Sequence, residues 1–223
     1  MVKTIIFDYD GTIHNTLRIY EPAFRKAYQW LVEQNVVEEQ KIESSRIAGW
    51  LGLNSKEMWD TFLPELEQSY KDQASKMVGD LMLRQIREHK AVWYPGAEKM
   101  LTTLKNRGYH LVILSNCKIA YRKAHWEEFK MERWFDRFYD CESYGFCPKT
   151  EIVRDIIREY PGAYLVIGDR KKDLECARSF GSPFAGCLYG YGEEGELDGA
   201  DYFVEHIEEI PELPELPLFE VYF

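Results

Sequence analysis

Two aspartates spaced two residues apart, Asp8 and Asp10, follow the apolar run Ile5-Ile6-Phe7 and lead into Gly11-Thr12. Alternate side chains of a strand share a face, so both carboxylates start out on one side. A strand that ends here and bends at Gly11 leaves them at a loop mouth. There one carboxylate can attack while the other handles a proton. A second segment repeats the layout. Tyr164-Leu165-Val166-Ile167 runs into Gly168-Asp169-Arg170-Lys171-Lys172-Asp173, with Asp169 at a strand tip and Asp173 at a helix start. Each segment also has a plainer reading. Asp-Gly closes many strands, and Asp169 and Asp173 are a cap and a first-turn acid suited to a helix dipole.

In a parallel sheet the tips of these two strands lie on one edge. If the strands are neighbours, Asp8, Asp10, Asp169 and Asp173 converge. Four carboxylates in one pocket repel, and a hard divalent cation makes such a cluster tolerable. An all-oxygen donor set favours Mg²⁺ over zinc. The five histidines show no ligand spacing and read as surface or structural residues. Ser115 and Asn116 end a further apolar run, where a hydroxyl and backbone N–H groups can donate to phosphate oxygens. Lys149, before a helix, offers the cation that the acids need, and Lys118 competes for that role. A surface charge is the plainer reading of either lysine.

Six strand-like runs carry these residues: Thr4–Asp8, His110–Leu114, Phe138–Cys141, Tyr164–Ile167, Phe184–Leu188 and Tyr202–Val204. Helical stretches at Ala97–Asn106, Ile152–Glu159 and Asp173–Ser179 separate them. Continuous apolar strands alternating with helices indicate an α/β protein, a parallel sheet covered on both faces. Residues 16–90 break the alternation. Tyr20, Phe24, Ala27, Tyr28 and Leu31 recur at helical steps, as do Met77, Leu81 and Ile86 with Leu83 nearby, while Gly49, Gly52, Asn54 and Pro64 punctuate. This is a helical insertion after the first strand, overhanging the strand ends where ligands bind. The core is then 1–15 with 91–223. Arg18, Arg46, Lys56 and Trp50 are candidate substrate contacts in or near loops of the insertion, with an ordinary surface or packing role as the plainer reading of each; Trp30 and Trp59 read as its core.

The 223 residues carry a net charge of −10, which argues against a nucleic-acid partner. It also requires local positive charge if the ligand is an anion. No apolar stretch reaches the ~20 residues of a membrane span, and the start lacks a secretory pattern. Five scattered cysteines without Cys-x-x-Cys read as free thiols of a cytoplasmic protein. The tail from Pro211 to Pro217 reads as an extended strap, with an aromatic end at Phe219, Tyr222 and Phe223.

Taken together, Asp8-Tyr9-Asp10-Gly11-Thr12, Ser115, Lys149 and Gly168-Asp169 with Asp173 come in the order of the haloacid dehalogenase superfamily. The chain resembles its phosphatase branch over nearly its whole length. That resemblance implies a Rossmann-like core with an inserted helical cap that closes over the sheet edge, excludes water and selects the substrate. It implies that Asp8 is a nucleophile forming an aspartyl-phosphate, and that Asp10 protonates the leaving alkoxide and then activates water. A neighbouring carboxylate and burial would help Asp10 hold its proton. Mg²⁺ would be held by Asp8, the backbone carbonyl of Asp10, and Asp169, with Asp173 supporting them from behind. Ser115, Asn116 and Lys149 would hold the phosphate of a small phosphorylated metabolite. Asp10 speaks against the dehalogenase branch, because a halide leaves without a proton. Three departures from the family pattern stand out: Asn15 where Asp is frequent, Thr150 where Pro is frequent, and the basic run Arg170-Lys171-Lys172. A phosphomutase acting on a sugar phosphate and a non-catalytic ligand-binding protein on the same fold are the alternative readings, and both a monomer and a homodimer fit.

Overall fold

The apolar runs pair side by side. The computed structural model describes residues 2–216, and among these six strands form one sheet in the order β3-β2-β1-β4-β5-β6, every pairing parallel. They are β1 (Val2–Phe7), β2 (His110–Ser115), β3 (Arg137–Asp140), β4 (Ala163–Gly168), β5 (Phe184–Cys187) and β6 (Tyr202–Val204). The strands are apolar at successive positions because both faces are covered. Ile5, Phe7, Leu111, Ile113, Leu165 and Ile167 pack on one side with Met100, Leu101 and Leu104 of helix Ala97–Asn106. Ile6, Val112, Leu114 and Val166 pack on the other with Ile152, Val153 and Ile156 and with Cys176 and Ala177.

The helices in chain order are α1 (Leu17–Glu33), α2 (Ser44–Ala48), α3 (Ser55–Phe62), α4 (Gln68–Arg87), α5 (Ala97–Asn106), α6 (Ile119–Phe129), α7 (Lys149–Glu159) and α8 (Lys171–Ser179). The chain divides into two compact units, residues 1–15 with 93–223, and residues 16–92. The first holds the sheet and α5–α8. The second is helical. Its core is aromatic: Phe24 of α1 lies within 5.0–6.2 Å, ring to ring, of Tyr20, Tyr28, Trp50, Trp59 and Phe62. A capping box at Asn54 and Glu57 starts α3.

Several sequence expectations need revision. The inward stripe of α4 runs through Lys71, Ala74, Val78, Gln85 and Ile86, so Met77, Leu81 and Leu83 are only half-buried. Polarity disguised that stripe. The Lys71 ammonium bonds Asp60 and the Pro64 carbonyl at 2.8 and 3.0 Å, and the Gln85 amide donates to the Ile19 carbonyl at 2.7 Å. Trp50 is buried, with the Arg46 guanidinium over its ring, and Lys56 pairs with Asp60. Three of the four candidate substrate contacts thus have packing or pairing roles inside their own unit.

The tail is not a simple extended strap. Ile207–Glu212 form a 3₁₀ helix, Ile210, Leu213 and Leu216 are buried in the sheet core, and Arg107 donates to the Pro211 and Leu216 carbonyls. Pro217, Phe219, Tyr222 and Phe223 lie outside the described residues. All five cysteines are free thiols, and no helix among the described residues is long and apolar enough to cross a membrane.

Ile113 sits fully buried on β2 beside the central strand. Ile113→Ala is expected to cost about 2–5 kcal/mol through lost burial and the cavity left behind, read as a lower urea midpoint with unchanged slope.

Candidate functional site

Register brings the acids together. Phe7 pairs with Ile113 on one side and Ile167 on the other. The residues that follow, Asp8 and, past Gly168, Asp169, therefore leave adjacent strands at the same carboxyl edge. The Asp8 amide still bonds the Ile167 carbonyl at 2.8 Å, which fixes Asp8 at the strand tip. The chain then turns at once: the Tyr9 carbonyl accepts from the Ile13 and His14 amides at 3.0 and 2.9 Å. Gly11 takes φ +88° in this turn, and a Cβ there would lie 2.1 Å from an Asp169 carboxylate oxygen. Glycine is required by both the backbone and the crowding.

Asp8, Asp169 and Asp173 are all buried, and each offers an oxygen within 4.8 Å of the others'. Lys149 is buried with them. Its ammonium reaches Asp8 Oδ1 at 2.5 Å and Asp173 Oδ1 at 2.7 Å. The sequence placed Lys149 in a loop; it is instead the first residue of α7, after Pro148. Pro148 has extended backbone and starts the helix, which aims the side chain into the cluster. Lys118 is exposed at the N-cap of α6, so of the two lysines it is Lys149 that lies among the acids. Asp173 plays both roles considered for it: while one oxygen holds Lys149, the other accepts the Arg170 amide at 3.1 Å and caps α8.

Asp169 is held by a loop that sequence reasoning passed over. The Tyr191 amide donates to Asp169 Oδ2 at 2.7 Å, and a Cβ on Gly190 would come within 2.2 Å of Asp169. Tyr189 donates to the Thr12 carbonyl at 2.8 Å and Tyr191 to Asn15 Oδ1 at 3.2 Å, so this loop also braces the first motif. The sequence signal was available in Tyr189-Gly190-Tyr191-Gly192, two glycines spaced among aromatics after a strand. Of the basic run, Arg170 is tied to Glu196 at 2.9 Å, while Lys171 and Lys172 are exposed.

Asp10 stands apart from the buried trio and is part-exposed. Its Oδ1 accepts the Tyr121 hydroxyl at 2.7 Å and lies 3.3 Å from His14 Nδ1. Neither partner was foreseen, although Asp10-x-x-x-His14 is legible as a spacing. Ser115 is buried at the tip of β2, next to the tip of β1, and Asn116 follows it half-buried.

The electrostatics describe an excess of negative charge. Burial pushes the Asp8 carboxyl up to about 7, Asp173 adds to the push, and Lys149 pulls against it. Burial raises the Asp169 carboxyl well above its ordinary range, with Asp8 and Asp173 adding to that. Burial pulls the Lys149 ammonium down, but Asp173 and Asp8 outweigh it and hold Lys149 above its usual value. One lysine cannot neutralise three buried acids. The oxygen-only donor set and the uncompensated charge both fit a hard divalent cation.

Known proteins are similar to this chain in sequence and fold. Residues 5–187 match the family model described as haloacid dehalogenase-like hydrolase. The phosphoglycolate phosphatase of Pasteurella multocida is 23% identical over 211 residues, covering 85% of this chain and 87% of its own length. A crystal structure of a predicted phosphoglycolate phosphatase from Haemophilus somnus superposes with TM-score 0.79 at 20% identity, covering 95% of this chain and 97% of that one. CbbY from Rhodobacter sphaeroides in complex with phosphate superposes with TM-score 0.76 at 18% identity, over 94% and 96% of the two chains.

A carboxyl raised on folding stabilises the fold fully below its unfolded value, about 3.8 for Asp8, and that contribution is lost as the pH climbs through about 7. Metal-free protein is therefore expected to lose thermal stability from about pH 5 to about pH 8. Asp8→Asn should flatten that slope, and added Mg²⁺ should restore stability most at the alkaline end. Thermal unfolding with EDTA or Mg²⁺ across the range measures both; a slope unaltered in Asp8→Asn would refute the assignment.

Proposed function

This chain belongs to the haloacid dehalogenase-like hydrolase family, and from that premise we propose that it is a Mg²⁺-dependent phosphatase of a small phosphorylated metabolite. The observation that carries the reading is the buried Asp8–Lys149–Asp173 set beside Asp169, on the same sheet edge as Asp10 and Ser115. Phosphate-monoester hydrolysis is among the slowest uncatalysed reactions, and a covalent intermediate divides it into two easier steps.

Asp8 is the nucleophile. One of its carboxylate oxygens bonds to phosphorus as the ester P–O bond breaks, and the electron pair leaves with the ester oxygen. Asp10 gives its proton to that oxygen, so an alcohol departs. Water then attacks the aspartyl-phosphate, Asp10 takes a proton from it, and the bond to Asp8 breaks. Inorganic phosphate leaves and both aspartates return to their starting states. Lys149 holds Asp8 in place and, with Ser115 and Asn116, neutralises or hydrogen-bonds the phosphoryl oxygens. The residues that would hold Mg²⁺ are Asp8, Asp169 and the Asp10 carbonyl, with Asp173 behind them. Bound there, the ion would keep the acids ionised and offset the charge of the phosphoryl group. The relatives' name makes 2-phosphoglycolate the first ester to test.

Phosphate release from a metabolite panel, with and without Mg²⁺, tests the reading. Turnover should require the ion and yield inorganic phosphate; an isomerised sugar phosphate would mean a mutase instead. Asp8→Asn should lower turnover by at least about a thousandfold, in line with losing a covalent nucleophile. Mg²⁺-dependent binding of 2-phosphoglycolate should survive. Wild-type-like turnover in that variant would remove Asp8 from its role.

A further inference from the structure

Asp10 must present the same carboxylate twice, once as acid and once as base. A carboxylate on a turn is free to rotate about two side-chain bonds, and small misplacements of a catalytic group are costly. One group that restrains it lies outside the first motif, on α6. The Tyr121 hydroxyl has one proton, and it donates that proton to Asp10 Oδ1 at 2.7 Å. Burial first, and then Asp10, hold the Tyr121 phenol well above its ordinary range, so it stays a donor. His14 Nδ1 approaches the Tyr121 oxygen at 3.1 Å and Asp10 Oδ1 at 3.3 Å. Both neighbours thus converge on Asp10 Oδ1.

Tyr121 is itself locked. Its ring packs 4.2 Å from His125 and 6.4 Å from Tyr9, centroid to centroid. The Trp93 indole donates to the Tyr9 oxygen at 3.1 Å, and that oxygen lies 2.8 Å from His125 Nδ1. Burial presses the ionisation of His125 well below the usual range, so it packs there as a neutral ring. Tyr9, His14 and His125 are fully buried. The brace is therefore anchored in the rigid sheet core and not in solvent.

We propose that Tyr121 is a positioning residue for Asp10, holding its carboxylate through Oδ1 in the orientation from which Asp10 passes its proton to the ester oxygen. This rests on the assignment of Asp10 as acid and base. The alternative is a core tyrosine whose hydroxyl merely finds an acceptor. Leaving groups separate the two. Ethyl phosphate needs a proton on its departing oxygen; p-nitrophenyl phosphate releases a stable phenolate that does not. The parameter kcat/KM reports the steps through departure of the alcohol or phenol, before water enters.

Tyr121→Phe removes only the hydroxyl. With purified full-length protein in Mg²⁺, kcat/KM for ethyl phosphate should fall roughly 10- to 100-fold, while that for p-nitrophenyl phosphate stays within about threefold of wild type. The p-nitrophenyl rate also certifies that the variant is folded. In an Asp10→Asn background, adding Tyr121→Phe should cause no further loss for ethyl phosphate, because the effect passes through Asp10. Equal losses for both esters, no loss for either, or an additive loss in the double variant would overturn the proposal. If wild-type protein hydrolyses neither ester nor any other phosphate ester, the phosphatase reading falls and takes this inference with it.

Discussion

One ammonium group between two carboxylates organises the site. Lys149 reaches Asp8 and Asp173 at 2.5 and 2.7 Å with all three groups buried. Removing charges from water costs several kcal/mol per ion, and only close pairing offsets that cost. The pairing therefore dictates where three elements meet: the tip of β1 supplies Asp8, the first residue of α7 supplies Lys149, and the first turn of α8 supplies Asp173. Displacing any one of them leaves a buried charge without its partner. The set is also unbalanced by design of its residues, since Asp169 adds a further buried carboxylate. Such an imbalance is a poor device for stability and a good one for attracting a cation.

Crowding around Asp169 is the second constraint. Gly11 and Gly190 approach so closely that a methyl group on either would overlap Asp169. The Tyr191 amide then takes up one of its oxygens. The strand tips thus present their acids inward without free rotation, and the short loop at 189–192 is as much a part of the site as the motif residues are. The fold is shared with structures at about one-fifth identity: a parallel sheet covered on both faces tolerates replacement of most side chains.

Asp10 obeys a different rule from the other acids. It lies outside the buried trio, and its fixed oxygen faces Tyr121 and His14. A helix is expected after the second strand, but its sequence marked no residue range or inward face. Its face is Tyr121, His125 and Phe129 at helical spacing, set among Arg122, Lys123, Glu127 and Glu128. Histidine and tyrosine do not register as an apolar stripe, although here His125 is buried and Tyr121 half-buried. Lys71 and Gln85 hid the inner face of α4 for the same reason. Polar side chains that are satisfied inside a fold are invisible to a pattern search that equates burial with hydrophobicity.

From the string of residues alone came the six strands, the helical insertion after the first of them, and the acids at Asp8, Asp10, Asp169 and Asp173. These follow from local pattern: an apolar run that ends at Gly or Asp carries its meaning within about ten residues. Only the folded chain decided that β1 and β4 are neighbours, that Lys149 rather than Lys118 enters the cluster, that 189–192 holds Asp169, and that Tyr121 grips Asp10. Each of those depends on register, helix phase and side-chain direction between segments more than twenty residues apart, and in the case of Tyr121 more than a hundred. No local pattern encodes such distances, because the parallel pairing that creates them is a property of the whole sheet.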